Sequence, residues 1–380
     1  NQWYDQNVAG NVSYSGASQL WSWGYVNNYG QLGHNDKVNH SSPKQVGSLT
    51  NWATLANTGK NDVLNGAINT SGEMFMWGRN NDGQLGVNDN VDRSSPTQIP
   101  GTTWSALILN FSKGALAPKT DGTLWTWGEN YLGQLGLNQP TSTKISSPTQ
   151  IPGTWSTNKN HYATGSGGRT FAIKTDGTLW GWGTDNYGRL GLNGQAGPVT
   201  TQYKYSSPVQ ITTATNWTYL SSNTGNTAVI NTSGELFVWG DNYRAQLGLN
   251  TQGTYFSSPT QIPGTTWSAV SATYANTMAL KTDGTLWAWG YNSNGGQVGD
   301  NTTINRSSPV QIPGTNWSAI AGGTSWNAAL KSDGTMWVWG YNYGNLAVGD
   351  TDHRSSPTQV PGTWGQIQIN LRTTRATKVL

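Results

Sequence analysis

The chain has no cysteine among its 380 residues. Disulfide bonds, thiol catalysis and cysteine-ligated metal centres are therefore excluded. Charged residues are also scarce, at 10% of the sequence, and the formal net charge of +3 arises without any run of like charges. We therefore expect no nucleic-acid partner. No apolar stretch approaches the roughly 18 residues that a membrane-spanning helix needs, so membrane insertion is not expected either.

The residues that are abundant favour strands and turns. The chain contains 49 glycines and 21 tryptophans, together with many asparagines, serines and threonines. These residue types fit pleated strands and turns better than helix interiors, which predicts an all-β fold. The sequence begins at Asn1 without an initiator methionine, and we expect a processed chain or one module of a longer protein.

One unit of about fifty residues recurs along the chain. A Trp-Gly dipeptide marks the same position in seven copies of the unit, at spacings between 50 and 57 residues. Its tryptophans are Trp23, Trp77, Trp127, Trp182, Trp239, Trp289 and Trp339. Ser-Ser-Pro follows each Trp-Gly, and a further tryptophan closes each unit. Self-similarity at a fixed period predicts a repeat architecture.

The clearest unit, residues 267–314, contains four strand-like segments at 268–273, 277–281, 285–290 and 309–312. Asp283-Gly284 lies between the second and third segments and is typical of a tight hairpin turn. Apolar side chains occur on both faces of these strands, and radial stacking of sheets covers both faces. We therefore predict a seven-bladed β-propeller over residues 19–380, with four antiparallel strands per blade, after an N-terminal arm at 1–18.

The two ends of the chain supply complementary half-units. Residues 19–24 and 44–46 match the third and fourth strands of the unit, whereas the segment after Trp364 matches the first and second strands. We expect the two halves to form the seventh blade. Residues 376–380 would then pair with residues 20–23 and close the ring.

The segments WGxNxxGQLGxN, SSPxQIPG and ALKTDGTLW resemble the repeat of the regulator of chromosome condensation family. The resemblance covers about residues 19–380 and implies the propeller fold. Members of this family include an exchange factor for a small nuclear GTPase, secreted propellers such as a β-lactamase inhibitor protein, and bacterial or viral surface proteins. The low charge and the many Thr, Asn and Trp residues make this chain similar to the surface type. The protruding wedge and basic tail of the exchange factor have no evident match.

Recurrent polar residues are interpreted as structural. Lys281 and Asp283, with their equivalents in three other copies, are predicted to form a charge pair across the hairpin turn. The asparagines after Trp-Gly are predicted to satisfy backbone groups of the loops. They are Asn80, Asn130, Asn242, Asn292 and Asn342. No nucleophile, base and orienting group occur together outside the repeats, so we expect no catalytic residues, no cofactor and no enzyme activity.

Three histidines form a candidate metal site. His34 and His40 lie in the loop of the first copy, and His353 lies in the corresponding loop of the seventh copy. Closure of the ring would make these two loops neighbours, and imidazole is a common metal ligand. Solvated loop histidines are the alternative interpretation.

Aromatic residues in the irregular loops are the candidate binding residues. Insertions relative to the unit occur at 156–161 and at 194–205. The second insertion carries Tyr203, Lys204 and Tyr205, and the corresponding loop of the next copy carries Tyr255 and Phe256. Exposed aromatic rings beside amides suit a protein or sugar surface site. The alternative is that these rings only pack loop against loop.

These features predict a non-catalytic binding or structural propeller of an extracellular, cell-surface or virion assembly. Its expected partner is a protein subunit of that assembly or a surface glycan. Two alternatives remain open, a regulator of a small GTPase similar to the exchange factor, and a secreted inhibitor of an enzyme.

Overall fold

The structure, a computed structural model, describes residues 20–24, 27–58, 63–110, 113–194, 203–293, 295–323, 325–342, 346, 348–369 and 374–378. The chain forms two compact units, and each is described by itself. The first unit contains the described residues up to Thr184 and also Lys204–Thr213, and the second contains residues 185–203 and those from Ala214 onward. The N-terminal arm predicted at 1–18 lies outside the described residues. Among the described residues, no helix is long and apolar enough to cross a membrane.

The first unit contains one two-stranded sheet and three larger sheets, all built from antiparallel neighbours except for one short parallel pair. The two-stranded sheet pairs β1 (Trp21–Gly24) with β2 (His40–Gln45). The next sheet contains β3 (Trp52–Leu55), β5 (Leu64–Asn69), β6 (Met74–Gly78) and β7 (Arg93–Gln98). The following sheet contains β8 (Ile108–Asn110), β9 (Gly114–Pro118), β10 (Leu124–Glu129) and β11 (Lys144–Ile151), and β4 (Asn57–Thr58) adds to it in parallel. The last contains β12 (Tyr162–Gly165), β13 (Arg169–Ile173), β14 (Leu179–Thr184) and β15 (Lys204–Gln210), preceded by a 3-10 turn at Lys159–His161.

The second unit repeats the same sheet three times after a 3-10 turn at Asn186–Gly188. The first of these sheets contains β16 (Trp217–Ser222), β17 (Asn226–Asn231), β18 (Glu235–Asp241) and β19 (Tyr255–Thr265). The second contains β20 (Trp267–Ala272), β21 (Asn276–Lys281), β22 (Leu286–Gly290) and β23 (Arg306–Ile312). The third contains β24 (Trp317–Gly322), β25 (Trp326–Lys331), β26 (Met336–Gly340) and β27 (Arg354–Val360). A two-stranded sheet pairs β28 (Trp364–Ile369) with β29 (Thr374–Lys378).

Six sheets therefore carry the four antiparallel strands that the repeat predicts. The two end segments form the two-stranded sheets that the half-units predict. Their union into a seventh blade stays a prediction, and residues 379–380 of the predicted closing strand lie outside the described residues. The fourth strand of the clearest unit begins at Arg306, earlier than predicted, because a bulge between Ala288 and Gly290 lets the pairing with Arg306 resume.

From the second copy to the seventh, the tryptophan of Trp-Gly joins its repeat to the preceding one. The Trp289 side chain is fully buried, and its Nε1 donates a hydrogen bond of 2.9 Å to the backbone oxygen of Gln246 in the preceding copy. The glycine of the preceding Gln-Leu-Gly segment lies against the indole. A Cβ at Gly248, where φ is +71°, would lie 2.6 Å from Trp289 Nε1. The same bond joins Trp77 to Gln31, Trp127 to Gln84, Trp182 to Gln134, Trp239 to Arg189 and Trp339 to Gln297.

The predicted charge pair across the hairpin turn is not a contact ion pair, although the Lys281 charge contributes to lowering the pKa of Asp283. The Lys281 ammonium lies over two indole rings, 4.9 Å from the Trp267 centroid and 4.4 Å from that of Trp287. Asp283 instead accepts hydrogen bonds of 2.9 and 2.7 Å from the backbone N–H and hydroxyl of Thr285. No Lys281–Asp283 pair lies within ion-pair distance among the described residues. The cation prefers the electron-rich ring faces, which also cover its aliphatic stem.

Candidate binding surface

Buried asparagines shape the loop that follows the third strand of each sheet, as the sequence predicts. Asn242 is fully buried, and its Oδ1 accepts a hydrogen bond of 3.0 Å from the Leu247 N–H. Its Nδ2 donates a hydrogen bond of 2.9 Å to the backbone oxygen of Thr251. In the fourth copy Asp185 takes the place of the asparagine and accepts a bond of 2.8 Å from the Leu190 N–H. Because the loop backbone is held from within, its outer side chains are free to differ from copy to copy.

Two tyrosines and an ion pair occupy this loop region at the start of the second unit. The Tyr187 and Tyr255 rings are stacked, with centroids 4.9 Å apart and planes inclined by 23°. The Arg189 guanidinium lies 4.7 Å from the centroid of the Tyr187 ring. It forms a bidentate ion pair with Asp241, in which Nε and Nη2 donate hydrogen bonds of 2.7 and 2.6 Å to the two carboxylate oxygens. Partial burial, followed by the nearby Asp241 carboxylate, raises the pKa of the Tyr255 hydroxyl above its usual value.

A second arginine lies between two further tyrosines of the same unit. The Arg244 guanidinium is 4.6 Å from the Tyr291 ring centroid and 5.4 Å from that of Tyr274. Tyr274 follows β20 and Tyr291 follows β22, so both lie at the same end of their sheet. Tyr243, the neighbour of Arg244, is 68% exposed and Tyr274 is 43% exposed. We call these residues the tyrosine–arginine surface, which comprises Tyr187, Arg189, Tyr243, Arg244, Tyr255, Tyr274 and Tyr291.

The predicted binding residues have different surroundings. Tyr203 is 52% exposed. Lys204 is held locally, because its ammonium donates a hydrogen bond of 3.3 Å to the backbone oxygen of Tyr131 and lies 5.0 Å from the centroid of the Tyr131 ring. Tyr205 packs against one buried cluster and Phe256 against another. Residues 195–202 of the insertion lie outside the described residues.

The histidines of the first copy lie together in the loop between β1 and β2. The His34 and His40 ring centroids are 4.7 Å apart, and His40 Nε2 lies 3.2 Å from an Asp36 oxygen. The Asp36 carboxylate also accepts a hydrogen bond of 3.0 Å from the Lys44 ammonium. Desolvation alone would raise the pKa of Asp36, but the bonds from Lys44, the Val38 N–H and His40 together lower it to about 2. The carboxylate is therefore ionised at neutral pH.

The third predicted metal ligand belongs to the second unit. There His353 Nδ1 accepts a hydrogen bond of 3.1 Å from the Asn342 N–H, and its ring centroid lies 4.0 Å from that of Tyr341. The three-histidine site stays a prediction.

The model of the Regulator of chromosome condensation (RCC1) repeat matches residues 18–61, 71–105, 121–170, 176–230, 233–280 and 283–330. The chain belongs to this family. A second model of the RCC1 repeat matches residues 267–295. The resemblance inferred from the Trp-Gly and Ser-Ser-Pro segments is thereby confirmed.

Curated RCC1-repeat relatives are similar over part of this chain. The Arabidopsis thaliana ultraviolet-B receptor UVR8 is 37% identical over 23% of the chain and 19% of its own length. The probable E3 ubiquitin-protein ligase HERC6 of Homo sapiens is 31% identical over 58% of the chain and 22% of its own length. The chain thus spans about a fifth of the length of these relatives.

Solved RCC1-type structures match at the level of the fold. Human WBSCR16 superposes with a TM-score of 0.76 at 18% identity, covering 96% of this chain and 99% of that one. Prp20p of Saccharomyces cerevisiae, described with its binding properties to Gsp1p and histones, gives a TM-score of 0.75 at 17% identity and covers 96% and 92% of the two chains. These likenesses establish an RCC1-type propeller fold.

Within the RCC1 repeat, Tyr205 and Phe256 occupy one equivalent position, directly before Ser-Ser-Pro, where other copies carry Arg93 and Arg306. Their packing against buried clusters shows that this position serves the fold in the copies with an aromatic ring. The arginines of the tyrosine–arginine surface were missed because isolated charges in loops carry no pattern. One sequence feature could have indicated them, since Arg189 and Arg244 both lie within a few residues of a tyrosine in the loop that follows Trp-Gly.

Proposed function

We propose that this RCC1-repeat chain is a non-catalytic scaffold that binds a protein partner through the tyrosine–arginine surface of its second unit. The observation that carries the proposal is the Arg244 guanidinium between the Tyr274 and Tyr291 rings, beside the exposed Tyr243. Tyrosine and arginine are enriched at protein interfaces and dominate binding energies there.

The electrostatics of the two arginines differ in a way that favours an acidic or carbonyl-rich partner segment. Arg189 is neutralised by Asp241 at 2.6 Å. Arg244 has no ion pair within the described part of the chain. Its planar guanidinium, held between two rings, retains donors for a partner carboxylate or carbonyl. Little side-chain entropy is lost on binding, because the rings already restrict the arginine.

We further propose that the scaffold works at a cell or virion surface, as the low charge content favours, in a seven-bladed propeller closed by its termini. A surface glycan is the second candidate partner, supported by the exposed Tyr243 and Tyr274 rings beside polar loop residues. Regulation of a small GTPase is the third, supported by the binding of Prp20p to Gsp1p that its description names.

The test compares two variants of the full chain. Tyr243→Ala/Arg244→Gln/Tyr274→Ala removes the exposed part of the tyrosine–arginine surface. Tyr131→Ala is the control, because Tyr131 is equally exposed, at 64%, but lies in the first unit. Proteins that crosslink to the wild-type chain in its native source are identified. Each is then purified, and its affinity for the wild type and for the two variants is measured. We expect the triple variant to bind at least about tenfold more weakly, since a single interface anchor contributes roughly 2 kcal/mol or more, and the control to bind normally.

Equal partner binding by the wild type and the triple variant, with melting curves unchanged, would refute the proposed surface. Binding to a glycan array that the triple variant loses would favour the glycan. Accelerated nucleotide release from a purified small GTPase would favour the regulatory function.

A further inference from the structure

The loop between β1 and β2 brings together three side chains with metal-ligand chemistry. One ligand atom from each of His34, Asp36 and His40 lies within 4.8 Å of the others, and all three residues are half-buried. Asp36 is held in place by hydrogen bonds of 3.1 Å from Asn27 Nδ2 and from the Val38 N–H. The carboxylate is thus positioned by the loop before any ligand binds.

The hydrogen bonds of His34 leave one ring nitrogen available. His34 Nε2 lies 3.1 Å from the Lys44 backbone oxygen and 3.0 Å from Ser22 Oγ. A carbonyl oxygen only accepts, so Nε2 carries the proton and Nδ1 keeps its lone pair. Nδ1 is buried and has no hydrogen-bond partner among the described residues. An imidazole that donates one N–H to a backbone carbonyl and directs the other nitrogen into a site is the usual arrangement of a metal-ligating histidine.

The second copy shows what the loop needs for folding alone. Val87, Asp89 and Arg93 stand at the positions of His34, Asp36 and His40. There the arginine forms the ion pair with the aspartate. An arginine paired with the aspartate is therefore sufficient in the second copy, and neither histidine is needed for that purpose.

We propose that His34, Asp36 and His40 bind a divalent transition-metal ion of the zinc class. Two imidazoles and one carboxylate suit zinc, which accepts nitrogen and oxygen ligands at roughly 2.0–2.2 Å in tetrahedral geometry. Three protein ligands leave one position for water or for a group from a partner. Lys44 Nζ, now 3.0 Å from Asp36, belongs to a side chain that is 46% exposed and moves into solvent when the ion binds.

The test titrates the chelator-treated full chain with Zn²⁺ alone by calorimetry and with Co²⁺ by visible absorbance. The matched variant His34→Val/His40→Arg installs the residues of the second copy, so its loop retains its charge pair and its fold. We expect this variant to lose more affinity than the roughly 10- to 100-fold that loss of an outer partner alone causes. His353→Ala distinguishes this site from the three-histidine site predicted from the sequence, and it should bind zinc as the wild type does.

Lys44→Gln gives an independent prediction of opposite sign. Removing the ammonium that competes for Asp36 should tighten zinc binding several-fold, and a thermal shift with Zn²⁺ should grow accordingly. The proposal is overturned if the wild type binds neither ion at micromolar concentration, if the matched variant binds as well as the wild type, or if Lys44→Gln weakens binding.

Discussion

Gly248→Ala tests the bond by which the tryptophan of one repeat joins the preceding repeat. An alanine at φ +71° costs roughly 1–2 kcal/mol in backbone strain. Its Cβ would lie 2.6 Å from Trp289 Nε1, so the fully buried indole must move. That movement breaks the 2.9 Å hydrogen bond to the Gln246 backbone oxygen, which costs about 1 kcal/mol of stability. The displaced indole also packs less well, which costs about 1–3 kcal/mol more. We expect the free energy of unfolding to fall by about 3–6 kcal/mol.

Gly253→Ala is the matched control, five residues away in the same loop. Its φ is +81°, and a Cβ there would meet nothing within 4 Å. Only the backbone strain remains, so we expect a loss of about 1–2 kcal/mol. Urea denaturation followed by tryptophan fluorescence measures both variants. Equal destabilisation of the two would refute the reasoning, because it would show that contact with the indole adds nothing to the strain.

Three further predictions concern other parts of the fold. A double-mutant cycle of Lys281→Met and Trp287→Phe should give a coupling of about 0.5–1 kcal/mol in unfolding free energy, and zero coupling would contradict the stacked cation. Hydrogen bonds from Thr302 and the Arg306 guanidinium outweigh desolvation and hold the pKa of Asp300 below its unfolded value, so its stabilisation is present above about pH 4 and is lost as the pH falls further. Asp300→Asn should therefore flatten the acid limb of a stability-versus-pH curve, and an unchanged limb would assign that limb to other groups. Deleting residues 376–380 should lower the unfolding free energy by roughly 2 kcal/mol or more if they close the seventh blade, and an unmoved denaturation midpoint would disprove that closure.

The fold was largely predictable because several independent sequence features in each repeat indicate the same strands. Turn chemistry at Asp283-Gly284, alternation at Trp287 and Trp289, and the recurrence of both at a fixed period all indicate one sheet per unit. A single copy would have left strand boundaries open, as the early start of β23 at Arg306 shows. Bulges are difficult to predict, because they depend on pairing geometry that leaves no composition signal.

The candidate surface was less predictable for a physical reason. Burial depends on which strand position a residue occupies, so Tyr205 and Phe256 pack inward although their loops diverge from the repeat. Lys281 was assigned to Asp283 because opposite charges two residues apart suggest a pair, whereas two indole faces bind its ammonium instead. Sequence separation cannot show such contacts, since Trp267 and Trp287 reach the lysine from neighbouring strands.

The bond from each Trp-Gly indole to the preceding Gln-Leu-Gly loop has a consequence for how this gene can change. Among the described residues, the second to sixth repeats each carry both halves of the junction, an indole donor for the repeat before and a loop carbonyl for the repeat after. Unequal crossing-over that removes or duplicates one whole repeat regenerates the same donor and acceptor between the new neighbours. Loop side chains can diverge independently, because the acceptor in the junction is a backbone oxygen that any residue can supply. Arg189, which replaces glutamine in the fourth copy, accepts the same hydrogen bond from Trp239.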